Sequence, residues 1–246
     1  MWPREKIRLF VDAPLGEGKP VALDRDQAHY LFGVMRLTAG ARVALFNGIG
    51  GEWSAEVAEA GKRAGQLVCL GQAAEQLDPP DLWLMFAPIK KARTDFIVEK
   101  AAEMGASRIL PVLTEFTNAE RVRVDRLQAH AVEAAEQCGG TFVPPVAAPA
   151  KLGALLDDWP AERQILFADE TLAGAGEDPA DFSVEAGTAA PWAILIGPEG
   201  GFSDRERARL RAMPQAHPVR LGPRILRADT AAVAALALWQ SRLGDW

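Results

Sequence analysis

Residues 192–206 read WAILIGPEGGFSDRE, and this stretch decides the fold. Trp192 to Ile196 is apolar at every position, the composition of a strand covered on both faces. The run stops at Gly197-Pro198-Glu199-Gly200-Gly201, a loop whose one charged side chain is Glu199. Ser203-x-x-Glu206 then has the pattern of a capping box, which starts a helix. Strand, glycine loop and helix in this order begin a βα unit of a parallel sheet. A loop nearly free of side chains lets backbone approach a ligand closely. In open α/β sheets that ligand lies beyond the carboxyl ends of the strands.

The next apolar run, HPVRL (217–221), also enters a glycine loop, Gly222-Pro223-Arg224-Ile225-Leu226-Arg227. Asp229 and Thr230 read as caps of the segment TAAVAALALWQSRLG (230–244), which is apolar nearly all round and should be buried. Two strands that both end in Gly-Pro loops point to one pocket walled by backbone. Such a pocket suits a flat, largely uncharged group such as adenine, read by N–H and C=O groups. Neither loop is Gly-x-Gly-x-x-Gly or Gly-x-x-x-x-Gly-Lys-Ser/Thr, and Gly-x-Ser-x-Gly is absent, so dinucleotide, P-loop and nucleophile-elbow fingerprints are missing. For Arg224 and Arg227, a solvated surface and a ligand role stay equally open on the residues alone.

Working outward, LWLMFA (82–87), SRILPVL (107–113) and QILFA (164–168) are further short strands. Between them lie helical stretches: ARTDFIVEKAAEMG (92–105), with Ile97, Ala101 and Met104 on one face and Gly105 as its stop, and DRLQAHAVEAAEQCGG (125–140), with an Asp125-x-x-Gln128 capping box. The first seventy residues differ. IRLFVDA, ARVALFN and GQLVCLG have strand composition, Asn47-Gly48 and Gly50-Gly51 mark a hairpin into GEWSAEVAEA, and one helix covers DQAHYLFGVMRL (26–37). The paired prolines of AAEQLDPPD place a linker near 72–81, and TLAGAGEDPADFSVEAG (171–187) reads as a flexible loop.

The chain has 246 residues and a net charge of −6, which argues at first against a polyanionic partner. The acidity is local: residues 151–190 hold nine acidic side chains against Lys151 and Arg163, whereas residues 203–230 hold seven arginines against three acids. No apolar stretch has the ~20 residues of a membrane span, and the charged N-terminus MWPREKIRLF lacks the apolar core of a signal peptide, so the expected compartment is the cytoplasm. Cys69 and Cys138 read as two buried thiols. His29, His130 and His217 are far apart and lack metal-ligand spacing, so no metal is expected.

Together, LIGPEGGFS (195–203), LGPRILRADTA (221–231), KARTDFIVEKAAEMGASRILPV (91–112), EAAEQCGG with VPPV (133–146) and the final GDW resemble the RsmE family. These are small-subunit ribosomal RNA uridine-N3 methyltransferases of the SPOUT superfamily. HYLFGVMRL and the LFNG and GGEW segments resemble the family's PUA-like N-terminal barrel, so the likeness spans nearly the whole chain. It implies an α/β protein: residues 1–72 a PUA-like β-barrel that binds RNA, and residues 73–246 a SPOUT methyltransferase domain, mostly parallel, with a C-terminal trefoil knot. It implies a homodimer acting on small-subunit ribosomal RNA or the assembling 30S subunit. It further implies that S-adenosyl-L-methionine is held bent by Phe167, Ile196, Gly197, Pro198, Glu199, Gly200, Gly201, Leu221, Gly222, Ile225, Leu226 and Thr230. Methylation of N3 calls for a cation beside the developing negative charge; Arg227 is the first choice and Arg224 the second. Arg8, Arg36, Lys90 and Lys91 are the expected RNA contacts.

The chain departs from the family pattern at four places. Gly140 stands where Arg is usual after Glu-Gln-Cys-Gly, and Thr114-Glu115-Phe116 where an arginine is usual. Phe32-Gly33 replaces a polar pair, and Asp229 a Glu. Two alternatives follow: a SPOUT enzyme for another RNA nucleotide, or an RNA-binding module without catalysis.

Overall fold

The computed structural model describes residues 5–118, 121–173 and 190–246. It divides into two compact units, residues 1–78 with 135–143 and residues 79–134 with 144–246.

The first unit is built on β1 (Arg8–Phe10), β2 (Pro20–Leu23), the short helix α1 (Arg25–Ala28), β3 (Arg42–Phe46), β4 (Glu52–Ala60) and β5 (Gly65–Ala74). The strands form one sheet in the order β1-β3-β4-β5-β2, antiparallel except where β1 lies parallel to β3. Leu9, Val43, Leu45, Ala55, Val57 and Leu67 bury its inner face. The expected hairpin joins β3 to β4: Gly48 and Gly51 have φ of +79° and +72°, and Asn47 Oδ1 accepts from the N–H groups of Ile49 and Gly50. The single helix expected over 26–37 is instead four α-helical residues followed by a π-helical turn, His29–Val34. The wide turn is closed by the Met35 N–H donating to Tyr30 C=O, and Arg36 then leaves it at φ +56°.

The second unit runs β6 (Leu82–Phe86), α2 (Lys91–Glu103), β7 (Arg108–Leu113), α3 (Val124–Cys138), β8 (Ala150–Lys151), α4 (Leu152–Asp157), β9 (Gln164–Ala168), β10 (Trp192–Ile196), α5 (Asp204–Ala212), β11 (Ala216–Val219) and α6 (Ala228–Leu243). The six strands are all parallel, in the order β11-β9-β10-β6-β7-β8. β10 pairs on both sides and every residue of it is buried, as its composition requires. Ser203 and Glu206 make both bonds of the expected capping box, a device worth about 1 kcal/mol. Gly105, at φ +76°, follows α2 as anticipated. Beside it the fully buried Gln240 of α6 donates to the orphan carbonyl of Met104 at 2.7 Å.

Four expectations are corrected. α3 begins before Asp125, whose carboxylate bonds Arg123, while Gln128 is drawn to Pro144 and Val146, so that capping box does not form. Asp229 lies inside the first turn of α6 rather than at its cap, which is Arg227 and bonds through no side chain. α6 buries one face through Ala231, Ala232, Ala235, Leu236 and Trp239 but leaves Val233, Ala234, Ala237 and Leu238 half-buried. Cys138 is exposed near the end of α3, and only Cys69 is buried. Most of the expected 171–187 loop lies outside the described residues.

Candidate functional site

β9, β10 and β11 end side by side, because β10 and β11 both pair with β9 in parallel. The loops that leave them enclose a cavity of about 510 Å³, closed on a further side by the start of α6 and at its mouth by Lys90 and Arg93.

Each loop is shaped by a specific residue. After β10, Phe202 is buried and packs edge-on against Phe167 of β9 at 6.3 Å, which pins the end of the glycine loop to the core. Gly197 sits close against Phe202: a Cβ there would lie 3.1 Å from the ring, which would have to shift. Gly201 has φ +72°, and a Cβ on it would overlap the Glu170 carboxylate from the loop after β9. Gly222, at φ +124°, borders open space. Only glycine adopts that backbone without strain, and its bare Cα lets a ligand approach.

Charge is distributed unevenly around the cavity. At the mouth, Arg93 Nη1 donates to Glu199 Oε1 at 3.3 Å, and Arg93 Nε stands 3.7 Å from Asp229 Oδ2. One arginine of α2 thus ties the loop after β10 to the start of α6. Deeper in, Asp169 is buried and accepts from Thr171 Oγ1 at 2.7 Å and Arg211 Nη2 at 2.5 Å. Burial pushes this carboxyl up, but the Thr171 hydroxyl, the Arg211 guanidinium and the Thr171 N–H outweigh it, and the net shift is downward. Glu170 is paired with Arg207 at 2.9 Å. Arg224 and Arg227 are exposed on the cavity wall, and neither makes an ion pair or hydrogen bond with a side chain among the described residues. With Lys90 at the mouth, they present unpaired positive charge to an incoming anionic group.

The cavity gathers most of the expected residues: Ile196, Gly197, Pro198, Glu199, Gly201, Leu221, Gly222, Ile225 and Leu226, with Arg224 and Arg227. Three fall outside its lining. Phe167 is fully buried, and its neighbour Ala168 faces the cavity instead, as alternation along a strand requires. Gly200 faces away, and a Cβ there would lie 3.3 Å from that of Phe116. Thr230 is exposed and does not line the cavity. Of the expected RNA contacts, Lys90 lines the cavity mouth and, with Lys91, Arg121 and Arg126, an adjoining groove. Arg36 is exposed. Arg8 is a correction. Its guanidinium donates to Glu52 at 2.6 Å and to the carbonyls of Ala135, Glu136 and Gly140, and it covers the Phe46 ring, so it is spent on structure. Arg93, Asp169 and Glu170 were missed as cavity residues. Arg93 had a signal in Lys90-Lys91-Ala92-Arg93 after a strand end, whereas the role of Asp169 depends on where β9 lies in the sheet.

Among the described residues no group of three or more His, Cys, Asp or Glu side chains is gathered to hold a metal, and no helix is long and apolar enough to cross a membrane.

A parallel α/β sheet whose strand ends share a backbone-lined cavity with cations at its wall defines a nucleotide-type ligand-binding protein. The particular kind follows from its relatives. The chain belongs to the RNA methyltransferase family: the model of that domain matches residues 76–240, and the model of the RNA methyltransferase PUA domain matches residues 23–68. A ribosomal RNA small subunit methyltransferase E of Synechocystis is 33% identical, over 88% of this chain and 71% of its own. One from Rickettsia conorii is 28% identical over 94% of this chain and 93% of its own. Among solved structures, the Neisseria gonorrhoeae ribosomal RNA small subunit methyltransferase E bound to S-adenosyl methionine superposes with a TM-score of 0.88 at 26% identity, covering 98% of this chain and 100% of its own.

Proposed function

We propose that this chain transfers a methyl group from S-adenosylmethionine to N3 of a uridine in small-subunit ribosomal RNA. The observation that carries this reading is the cavity at the ends of β9, β10 and β11, walled by glycine backbone and flanked by the unpaired Arg224 and Arg227. The residues fit the donor. Gly222 offers open space against bare backbone, Ile196, Leu226 and Ala231 supply apolar wall, and Glu199 and Glu170 supply carboxylates for a cationic ligand. The donor brings a methyl group already activated on a sulfonium. The protein's task is therefore to hold the acceptor in line and to favour its N3 anion. Arg227, with Arg224 beside it, supplies positive charge where that anion forms. Arg93 holds the mouth by keeping Glu199 and Asp229 in place.

The same proposal has residues 1–72 serve RNA binding and 73–246 catalysis, with Arg36, Lys90 and Lys91 on the substrate path. It includes the trefoil crossing implied by the family resemblance, a homodimer formed through the half-buried side of α6, and a cytoplasmic setting. Mass mapping of small-subunit RNA from a strain lacking the gene, with and without this chain restored, tests the activity. One methyl on one uridine should appear with the chain. A methyl on another base or on a ribose overturns the acceptor, and no change in mass overturns the activity. Calorimetric titration with S-adenosylmethionine tests the cavity separately.

A further inference from the structure

The first unit carries a groove of about 690 Å³ whose lining includes Arg25, Asp26, His29, Phe32, Lys62 and Arg63. We propose that this groove binds an unpaired nucleotide of the substrate RNA, its base against Phe32 and His29 and its phosphates on Arg25, Lys62 and Arg63. The inference rests on the RNA methyltransferase reading and adds a second RNA site, built on residues other than Arg36, Lys90 and Lys91.

Three observations carry it. The groove holds three permanent cations against one carboxylate, Asp26, and none of the three is engaged in an ion pair among the described residues. Paired surface arginines and lysines belong to the fold; unpaired ones crowded round a concavity favour a polyanion. Second, both rings depend on glycines. A Cβ on Gly33 would lie 2.8 Å from His29 Nδ1, and one on Gly65 would lie 2.8 Å from Phe32 Cζ. Gly33 stands within the π-helical turn, and its lack of a Cβ is what lets the His29 imidazole sit there. Third, the Phe32 ring is only partly taken up by the core of the unit and still lines the groove, which leaves aromatic surface for a base. Cations that follow a backbone beside an aromatic platform are the requirements for holding single-stranded nucleic acid, whatever its sequence.

The test uses the full chain and a fluorescein-labelled ten-nucleotide uridine RNA, read by anisotropy over a range of salt, with calorimetry of S-adenosylmethionine as control. Lys62→Ala with Arg63→Ala, on an exposed hairpin, should leave donor binding unchanged. It should flatten the slope of log affinity against log salt by about 1.4, two phosphate contacts at about 0.7 each for a single strand. Phe32→Leu keeps apolar packing and removes the ring; it should weaken the RNA about fivefold or more, the scale of losing one stacked base. Wild-type affinity and slope in both variants overturn the proposal. So does a wild-type chain that ignores the decamer, or one in which a polyglutamate peptide competes as well as unlabelled RNA. If those results come from a chain that still methylates small-subunit RNA, the groove is wrong and the function stands. If methylation itself fails, the function reading fails on its own measurement.

Discussion

Arg211 Nη2 stands 2.5 Å from Asp169 Oδ2, with the arginine half-exposed and the carboxylate side chain wholly buried beneath the cavity. The folded protein thereby holds Asp169 below its ordinary carboxyl range, against the opposing effect of burial. A carboxyl depressed by folding contributes stability that is present above its unfolded value and is lost as pH falls through the folded one. Arg211→Ala removes part of what offsets burial, so Asp169 rises. Acid unfolding followed by circular dichroism should then begin at higher pH than in wild type, and stability at neutral pH should drop by about 1–3 kcal/mol. An unchanged acid limb would remove the pair from the account.

His217 moves the same way for a different reason. Burial holds its imidazole below the usual histidine value, where it bonds Gln164 at 2.8 Å and packs on Trp192. A half-buried histidine held neutral contributes stability above its unfolded value, about 6.5, and that contribution is lost as pH falls below it. His217→Gln should flatten this part of the stability profile below about pH 6.5, read by urea titration at each pH. An identical profile in the variant counts against the assignment.

Two adjacent glycines should behave differently. Gly201 combines φ +72° with a Cβ position that overlaps Glu170, whereas the Cβ of Gly200 meets only Phe116 at 3.3 Å. Gly201→Ala adds roughly 1–2 kcal/mol of backbone strain and displaces a carboxylate at the cavity. Donor affinity should fall about tenfold or more, and Gly200→Ala should stay within a few-fold of wild type. Equal losses in calorimetric titration would show that the loop responds as one body.

Arg227→Ala separates pocket from chemistry. It should leave S-adenosylmethionine binding within a few-fold and slow methyl transfer by ~100-fold or more, the scale of removing one stabiliser of developing charge. Equal proportional losses of donor affinity and rate would assign Arg227 to the pocket instead.

Arg8→Ala should act on stability. It strands Glu52, which is 1% exposed, and releases three carbonyl acceptors. Breaking a buried pair from one side costs about 3–5 kcal/mol. Urea unfolding should show that loss, while the folded variant keeps wild-type affinity for small-subunit RNA fragments.

The assembly has its own measurement. α6 keeps Val233, Ala237 and Leu238 half-buried in the single chain. Light scattering at micromolar concentration should give about twice 26.5 kDa, and Leu238→Glu should shift it toward one chain. A wild-type monomer excludes the homodimer.

Local sequence carried much of the architecture. The uniform apolarity of Trp192–Ile196 required a covered strand, Ser203 and Glu206 announced α5, and the two Gly-Pro loops pointed to a backbone-walled cavity. These features need only neighbours along the chain: hydrogen bonds three residues apart, φ values open to glycine, and the absence of any polar face. Where competing partners lay far away, the local pattern lost. Gln128 matched a capping box but found the backbone of Val146. Asp229 matched a cap but lies by Arg93. Arg8 was expected at the RNA, but the end of α3 and Glu52 take a hydrogen bond from each of its three side-chain nitrogens. Composition made a pocket at the glycine loops expected. Which residues of those loops face it, that Ala168 rather than Phe167 lines it, and that Arg93 closes it were decided when β9, β10 and β11 aligned in parallel, because facing direction and charge partners are properties of the assembled sheet.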